Sequence, residues 1–186
     1  MNIYDFDGTI YKGDSTLDFY KFELKRHPSM TRHIPAFAVS TLKHKTGRIN
    51  TTEWKTVFFR FLSDIKDINS EIELFWKKHY SKIFEWYKSQ RNEDDVIISA
   101  SPEFLLKIPC QKLGVGTLIA SCVDPETGTF SGLNCKGEEK VRRFRKLFPE
   151  AEVQEFYSDS VSDLPMAKLA DKAFLVINGE VTPWNI

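Results

Sequence analysis

Short apolar runs that end in small or polar residues recur along this chain and predict buried strands. The predicted strands cover residues 3–6, 96–98, 115–123, 153–157 and 173–177. Apolar runs of this length without polar alternation are typical of parallel strands that are buried on both faces. Residues 129–133 follow a turn-forming stretch at 124–128, so we expect them to return as the second arm of a hairpin.

Apolar residues at helical spacing fill the stretch between the first two predicted strands. Four consecutive helices are predicted there, at about residues 16–26, 29–47, 51–65 and 70–87. Their many aromatic residues are more typical of a helix-bundle core than of a ligand cage. The pattern therefore indicates a helical subdomain inserted into an α/β core.

The order of strands and helices predicts an α/β protein with a Rossmann-like parallel sheet core and an inserted four-helix cap subdomain. A basic helix at 141–148 lies between two predicted strands, and such strand–helix–strand units form right-handed parallel crossovers. We expect residues 1–14 and 92–186 to form the core and residues 15–91 to form the cap.

Composition narrows the class of protein. The chain has 186 residues, of which 41% are hydrophobic and 13% aromatic, as expected of one globular domain with a modest insertion. Basic and acidic residues number 26 each, and this balance argues against nucleic acid as the main partner. The charge is uneven, because residues 16–91 carry a net +7 and the remainder −7.

The cysteines and the longest uncharged runs predict the compartment. Cys110, Cys122 and Cys135 are too far apart for a CxxC pair and are expected to be free thiols. The uncharged run at 113–123 is too short to span a bilayer, and no leader precedes the first strand. We expect a cytoplasmic protein that has no membrane partner.

Two carboxylates mark the end of the first strand. Asp5 and Asp7 are spaced by one residue and are followed by Gly8, where the chain can turn. Side chains at positions i and i+2 of a strand point the same way, so the two could share one pocket. Carboxylates this close repel each other unless a cation or a shared proton lies between them. A polar strand end without a ligand remains the alternative on this stretch alone.

Other polar residues follow the later predicted strands. Ser99 ends the second strand, and the helix that begins near residue 102 offers free amide donors to an anion, although a simple helix cap predicts the same residues. Lys136 lies before the basic helix, and Asp159 and Asp163 follow the strand at 153–157. Carboxylates, a hydroxyl and an ammonium group together indicate a magnesium-dependent phosphoryl-transfer site.

With these motifs the chain resembles the haloacid dehalogenase superfamily, whose first motif is the DxDGT of residues 5–9. The resemblance covers the whole chain in the family's motif order, and the closest branch is the one similar to phosphoserine phosphatases, with a helical cap after the first motif. It implies that Asp5 is the nucleophile that becomes an aspartyl-phosphate and that Asp7 is the general acid and base. It also implies that Ser99 and Ala100 bind the phosphoryl group and that Lys136 neutralises it, with Lys140 as the alternative lysine.

The same resemblance implies a Mg²⁺ cofactor. The implied ligands are the Asp5 side chain, the Asp7 backbone carbonyl and Asp159, with Asp163 beside them. The implied partner is a small phosphorylated substrate. Asp7 argues against dehalogenation, because a departing halide needs no proton.

The substrate is not determined by these motifs. Phosphoserine phosphatases have a glutamate where this chain has Asp14, and they use a cap arginine for which Arg48 and Arg60 are the candidates. Asp14, Arg48 and Arg60 are therefore the candidates for substrate specificity, and we expect at least one of the two arginines to contact the part of the substrate that does not react.

Three other functions compete with a phosphatase of small monoesters. A signalling receiver domain also phosphorylates an aspartate, but its aspartate lies well inside a chain that has no helical insertion. A phosphotransferase on the same scaffold remains open, because the acceptor need not be water. A binding protein without catalysis is disfavoured, because all of the catalytic residue types are present.

Overall fold

The computed structural model describes residues 1–186 and contains one six-stranded sheet in the order β3-β2-β1-β4-β5-β6. The strands are β1 (Asn2–Tyr4), β2 (Val96–Pro102), β3 (Thr117–Ser121), β4 (Val153–Ser158), β5 (Ala170–Ile177) and β6 (Glu180–Pro183). Neighbouring strands from β3 to β5 are parallel, and β6 is antiparallel to β5. The predicted Rossmann-like α/β core is therefore confirmed.

Eight α-helices accompany the sheet, and none of them combines the length and the apolar character that crossing a bilayer requires. They are α1 (Ser15–Arg26), α2 (Ile34–Lys45), α3 (Thr51–Phe58), α4 (Ile68–His79), α5 (Glu85–Gln90), α6 (Glu103–Leu113), α7 (Glu138–Leu147) and α8 (Leu164–Ala167). Side chains cap the first turns of three of them. Asp14 and Asp67 accept the amides of Leu17 and Ser70, and Asn50 forms a capping box with Glu53.

The inserted helices are less continuous than the four that the sequence predicts. Segments of 3₁₀ helix at Pro28–His33 and Phe59–Asp64 replace parts of the helices expected at 29–47 and 51–65. The fourth, expected at 70–87, is divided into α4 and α5 by a 3₁₀ turn at Tyr80–Lys82. The break follows from a local pairing, because extended Ile83 forms a bridge with Tyr11 of the loop after β1. This bridge links the insertion to the loop that follows the acidic pair.

The prediction that residues 129–133 form a strand is wrong, because no regular strand lies there. Asp124 accepts the amide hydrogens of Glu126 and Thr127, so the expected turn forms. Beyond it only one isolated bridge joins Val123 to Phe130, because the chain then turns toward the insertion. The structure also contains β6, an antiparallel edge strand beside β5 that the sequence pattern does not predict.

The sheet buries a hydrophobic cluster on each face. Ile3 belongs to a cluster with Phe144 of α7, and Tyr4 belongs to a larger one with Trp76 of α4. The Trp76 indole N–H donates to the Leu105 carbonyl of α6 at 2.7 Å. Inserted helices therefore share a core with the sheet, and the division into core and cap stays a prediction.

Candidate active site

The carboxyl ends of β1, β2 and β4 open into a cavity of about 850 Å³. Parallel strands bring their carboxyl ends to one edge of a sheet, which is where open α/β sheets bind ligands. The cavity is lined by all of the site residues predicted outside the insertion: Asp5, Asp7, Asp14, Ser99, Ala100, Lys136, Lys140, Asp159 and Asp163.

A buried lysine joins two of the carboxylates. Lys140 Nζ lies 2.9 Å from Asp5 Oδ1 and 2.6 Å from Asp163 Oδ2, and the lysine is 1% exposed. Ser158 at the end of β4 also donates to Asp163 Oδ2, at 2.8 Å. Burial alone would lower the pKa of Lys140, but the two carboxylates outweigh it and raise that pKa. The lysine is therefore charged whenever these aspartates are.

The prediction that Lys136 makes this contact is wrong, and the alternative, Lys140, makes it. Lys136 is exposed and lines the cavity without an ion pair. The difference arises from α7, which begins at Glu138 and turns its residue 140 toward the sheet. A lysine buried there needs carboxylate partners, whereas one in the preceding loop keeps its water.

Asp7 is held by donors from two elements. Its Oδ1 accepts the Ser15 amide of α1 at 2.6 Å, and its Oδ2 accepts the Ser101 hydroxyl of β2. Thr16 lies 2.8 Å from Ser101 through their hydroxyl oxygens. Burial and the nearby charge of Asp14 raise the pKa of Asp7 to about 6, although the donated hydrogen bonds oppose the rise. A carboxyl with such a pKa can both give and take a proton near neutrality.

Asp5 and Asp159 complete the acidic group. Burial, followed by the charges of Asp163 and Asp7, raises the pKa of Asp5 to about 7, although Lys140 opposes the rise. Burial and Asp163 also raise the pKa of Asp159. Four carboxylates, those of Asp5, Asp7, Asp159 and Asp163, thus lie at this edge of the sheet, and Lys140 is the one lysine that pairs with any of them.

The turn after Asp7 brings the backbone against Asp159. Gly8 has a φ of +71°, and a Cβ on it would lie 2.0 Å from Asp159 Oδ2. Only glycine allows both this backbone conformation and this close approach. The group of oxygen donors around the turn fits a hard divalent cation such as Mg²⁺, which takes oxygen ligands and would offset the excess negative charge.

Ser99 and Ala100 lie where β2 leads into α6. Ser99 is buried, and its hydroxyl accepts the Ser101 amide at 3.1 Å. Pro102 occupies the N-cap of α6, so the first turn of this helix begins directly after the serines. Serine hydroxyls at this edge can donate to an anion in the cavity.

Comparison with known proteins decides the family. The model for haloacid dehalogenase-like hydrolases matches residues 3–168. This chain belongs to that family. Protein CicA of Caulobacter vibrioides is 25% identical over 195 residues, covering 95% of this chain and 86% of that protein.

Two solved structures show the same fold as this hydrolase. A protein of unknown function from Bordetella pertussis Tohama I has a TM-score of 0.72 at 18% identity, covering 93% of this chain and 87% of its own. A phosphoserine phosphohydrolase-like protein from Francisella tularensis has a TM-score of 0.59 at 17% identity, covering 97% and 90%. At these identities the likeness is one of fold.

The arginines predicted to contact substrate in this hydrolase do not line the cavity. Arg48 lies in the turn after α2, Arg60 lies in the 3₁₀ segment after α3, and both are exposed. Asp14 does line the cavity, but one carboxylate oxygen caps α1 by accepting the Leu17 amide at 2.9 Å. The structure therefore does not bring these two arginines to the cavity, contrary to the expectation.

Lys55 of α3 is the inserted cation that the sequence analysis missed. Its Nζ donates to the Ala100 carbonyl at 2.9 Å, beside Ser99. Burial lowers the pKa of Lys55 to about 8, and the positive charge of Lys136 contributes, although the nearby aspartates oppose the shift. The sequence contains only a weak indication of this role, which is that Thr51 and Lys55 are four residues apart and so share one face of a helix. In the structure both residues line the cavity.

Aromatic side chains form the outer wall of the cavity. Phe37 of α2 stacks on Trp54 of α3 with ring centroids 5.6 Å apart, and it lies 5.1 Å from the Phe58 ring. His44 stacks on the same tryptophan at 5.1 Å. The cavity of this hydrolase is therefore charged at the sheet edge and apolar beneath the inserted helices.

Proposed function

We propose that this hydrolase is a Mg²⁺-dependent phosphatase of small phosphate monoesters that reacts through an aspartyl-phosphate at Asp5. The observation that supports it best is the pair of aspartates at the end of β1. Asp5 contacts the buried ammonium of Lys140, and Asp7 is held by donors from Ser15 and Ser101. One carboxylate is thus placed beside a cation and the other is oriented for proton transfer.

In the first step, an oxygen of the Asp5 carboxylate attacks the phosphorus of the ester. The bond from phosphorus to the leaving oxygen breaks, and protonated Asp7 gives its proton to that oxygen. The raised pKa of Asp7 suits this donation, while the Lys140 ammonium beside Asp5 favours the ionised form of the nucleophile. The products of the step are an alcohol and a phosphorylated Asp5.

In the second step, water attacks the phosphorus of the phosphorylated Asp5. Asp7, now a carboxylate, takes a proton from the water as the bond to Asp5 breaks, so inorganic phosphate is released and both aspartates return to their starting states. Ser99 and Lys140 stabilise the charge on the phosphoryl oxygens in both steps. Lys140 also restrains Asp5 through the 2.9 Å contact.

The acidic group would hold Mg²⁺ through the side chains of Asp5 and Asp159 and the backbone carbonyl of Asp7, with Asp163 beside them. When bound, the metal screens the repulsion between a carboxylate nucleophile and a charged phosphate. The raised pKa values of Asp5 and Asp159 are compatible with this assignment, because burial and the neighbouring Asp163 disfavour the charge that a bound cation would stabilise.

The shape of the cavity supports a monoester with an apolar or aromatic organic group. A volume of about 850 Å³ exceeds what a phosphate group needs. Phe37, Trp54 and Phe58 offer flat apolar surface to the rest of the substrate, and Lys55 offers the cation nearest to them at the sheet edge. The inserted helices would thus select the organic group while the sheet edge performs the chemistry.

Release of inorganic phosphate from a panel of monoesters tests the proposal. The panel compares aromatic and aliphatic esters, phosphoserine and sugar phosphates, each with Mg²⁺ and with a chelator. We expect release that requires Mg²⁺ and a higher kcat/KM for aromatic esters. Absence of release from every ester would contradict the phosphatase. If added alcohols speed release of the ester's own alcohol while lowering the yield of inorganic phosphate, the phosphoryl group passes to the added alcohol, and this result would indicate a phosphotransferase.

Asp5→Asn is the inactive control for the phosphate-release assay. It should abolish turnover, because an amide cannot form the aspartyl-phosphate, while its unfolding free energy should hold or rise as repulsion among the carboxylates falls. Circular dichroism and denaturant unfolding check the fold. Full activity in this variant would contradict the role of Asp5.

A further inference from the structure

A second polar cluster lies outside the active-site cavity, where α1 ends beside α4. Glu23 of α1 is completely buried, yet neither of its carboxylate oxygens has a hydrogen-bond partner. His27 Nε2 is also buried without a hydrogen-bond partner. Buried polar atoms are nearly always satisfied, so two such groups side by side require an explanation.

The orphaned atoms face each other and a third ligand. Glu23 Oε2 lies 3.5 Å from His27 Nε2, and His27 Nε2 lies 3.9 Å from Glu71 Oε1. Residues 23 and 27 share one face because they are four apart at the end of α1, and Glu71 comes from the first turn of α4. One ligand atom from each residue lies within 4.8 Å of the other two.

We propose that Glu23, His27 and Glu71 form a site for a divalent transition metal, with Zn²⁺ the best match. One imidazole nitrogen and two carboxylates leave the fourth tetrahedral position to water. Zn²⁺ bonds to such ligands are about 2.0–2.2 Å long, so tetrahedral ligand atoms lie about 3.4 Å apart. The observed separations of 3.5 and 3.9 Å need only a small contraction.

The charges around the cluster agree with a missing cation. Arg26 binds Glu71 through two contacts of 2.6 and 2.9 Å, whereas no lysine or arginine pairs with Glu23, whose nearest basic group is the His27 imidazole at 3.5 Å. Each carboxylate oxygen has two acceptor positions, so Glu71 can keep Arg26 and still bind a metal. Arg26 would then orient the metal-binding carboxylate.

A bound metal would connect the C-terminal end of α1 to the N-terminal end of α4. The competing arrangement is a proton shared between Glu23 and Glu71, which would also relieve their repulsion. The two differ at His27, because a metal requires its Nε2 as a ligand and a shared proton does not. The ring of His27 is therefore the reporter that separates them.

Titration of the full chain with Zn²⁺ in excess Mg²⁺ tests the proposal. We expect a change in the imidazole ¹⁵N shifts of His27 that saturates at one Zn²⁺ for this site. Glu23→Gln and His27→Gln should each weaken this binding at least tenfold. His33→Gln is the control: His33 lies 3.2 Å from a single carboxylate, Asp64, and its loss should change nothing.

Unshifted His27 signals at saturating Zn²⁺ would overturn the site. So would Zn²⁺ binding of equal strength and stoichiometry in His27→Gln. His27 lies at the end of α1 with its side chain 32% exposed, so this variant remains informative even if Glu23→Gln fails to fold. A Glu23→Gln protein that is more stable than wild type with and without Zn²⁺ would support the shared proton and contradict the metal.

Discussion

Lys140 is the residue on which the buried charges of the active site depend. Removing it leaves Asp5 and Asp163 without their cation, and breaking a buried ion pair in this way costs about 3–5 kcal/mol. Lys140→Met should therefore lose both activity and much of the unfolding free energy at pH 7. Denaturant unfolding and phosphate release measure the two effects.

Lys136→Met is the matched control for that change. Lys136 is exposed and has no ion pair, so its loss should alter the unfolding free energy by less than about 0.5 kcal/mol and lower activity only modestly. Equal losses of stability in the two variants would contradict the assignment of Lys140 as the buried partner of Asp5.

Lys55 predicts a pH dependence of substrate binding. Its pKa is lowered to about 8, so the side chain is charged below that pH and loses its charge as the pH rises through it. KM for a phosphate ester should therefore increase above pH 8. Lys55→Arg should move this increase to higher pH, and Lys55→Gln should have a high KM throughout. Identical KM profiles for the three proteins would exclude Lys55 from substrate binding.

Asp5, Asp7, Ser99 and Asp159 could be predicted because the ends of buried strands are visible in the sequence. The lysine could not be assigned between positions 136 and 140, since this depends on where α7 begins. The positions of Arg48 and Arg60 could not be predicted, because each lies in or beside an irregular turn. The hydrophobic pattern does not define the direction in which such a turn points its side chains.

At the scale of elements, the packing of α4 on α6 depends on one tryptophan. Trp76 is fully buried, and its indole N–H donates to the Leu105 carbonyl at 2.7 Å. Trp76→Phe should lower the unfolding free energy by about 1–3 kcal/mol, because it leaves a buried carbonyl unpaired and removes volume. Denaturant unfolding, analysed for midpoint and slope, measures this change.

Trp86→Phe provides the comparison within α5. The Trp86 indole N–H is buried without a hydrogen-bond partner, so its replacement loses volume but no hydrogen bond. We expect a smaller loss of stability than for Trp76→Phe. A larger loss in Trp86→Phe would mean that the bond to Leu105 contributes little.

The spacing of apolar residues predicts most of the strands and helices, and the exceptions have physical causes. The single helix expected at 70–87 breaks because Ile83 pairs with Tyr11, a contact distant in sequence. The hairpin arm at 129–133 does not form, because the Asn134 amide donates to Thr52 of α3 and the chain follows the inserted helices instead. Both involve tertiary contacts that no local window contains.

At the scale of the whole molecule, the charge is divided between the insertion and the rest. Residues 16–91 carry a net +7 and the remainder −7, and Lys55 places one of the inserted charges at the cavity. A field of this kind draws an anionic ester inward and weakens as salt screens it. We expect kcat/KM for phosphate esters to fall several-fold between low and physiological ionic strength.

The control for this measurement is kcat at saturating substrate. Salt weakens the attraction that brings the substrate to the protein and leaves the bound complex unaffected, so kcat should change little over the same range of salt. A kcat/KM that is independent of salt would indicate that most of these lysines and arginines only solvate the outer faces of the helices.

The position of β1 has a consequence for how the protein is made. Ile3 pairs with Val96 on one side and with Phe156 on the other, so the strand that leads into Asp5 lies between two partners synthesised long after it. Contacts so distant in sequence form slowly, because a long loop must close first. The growing chain on the ribosome would thus hold its first strand unpaired through much of translation, and phosphatase activity would arise only once β4 had emerged.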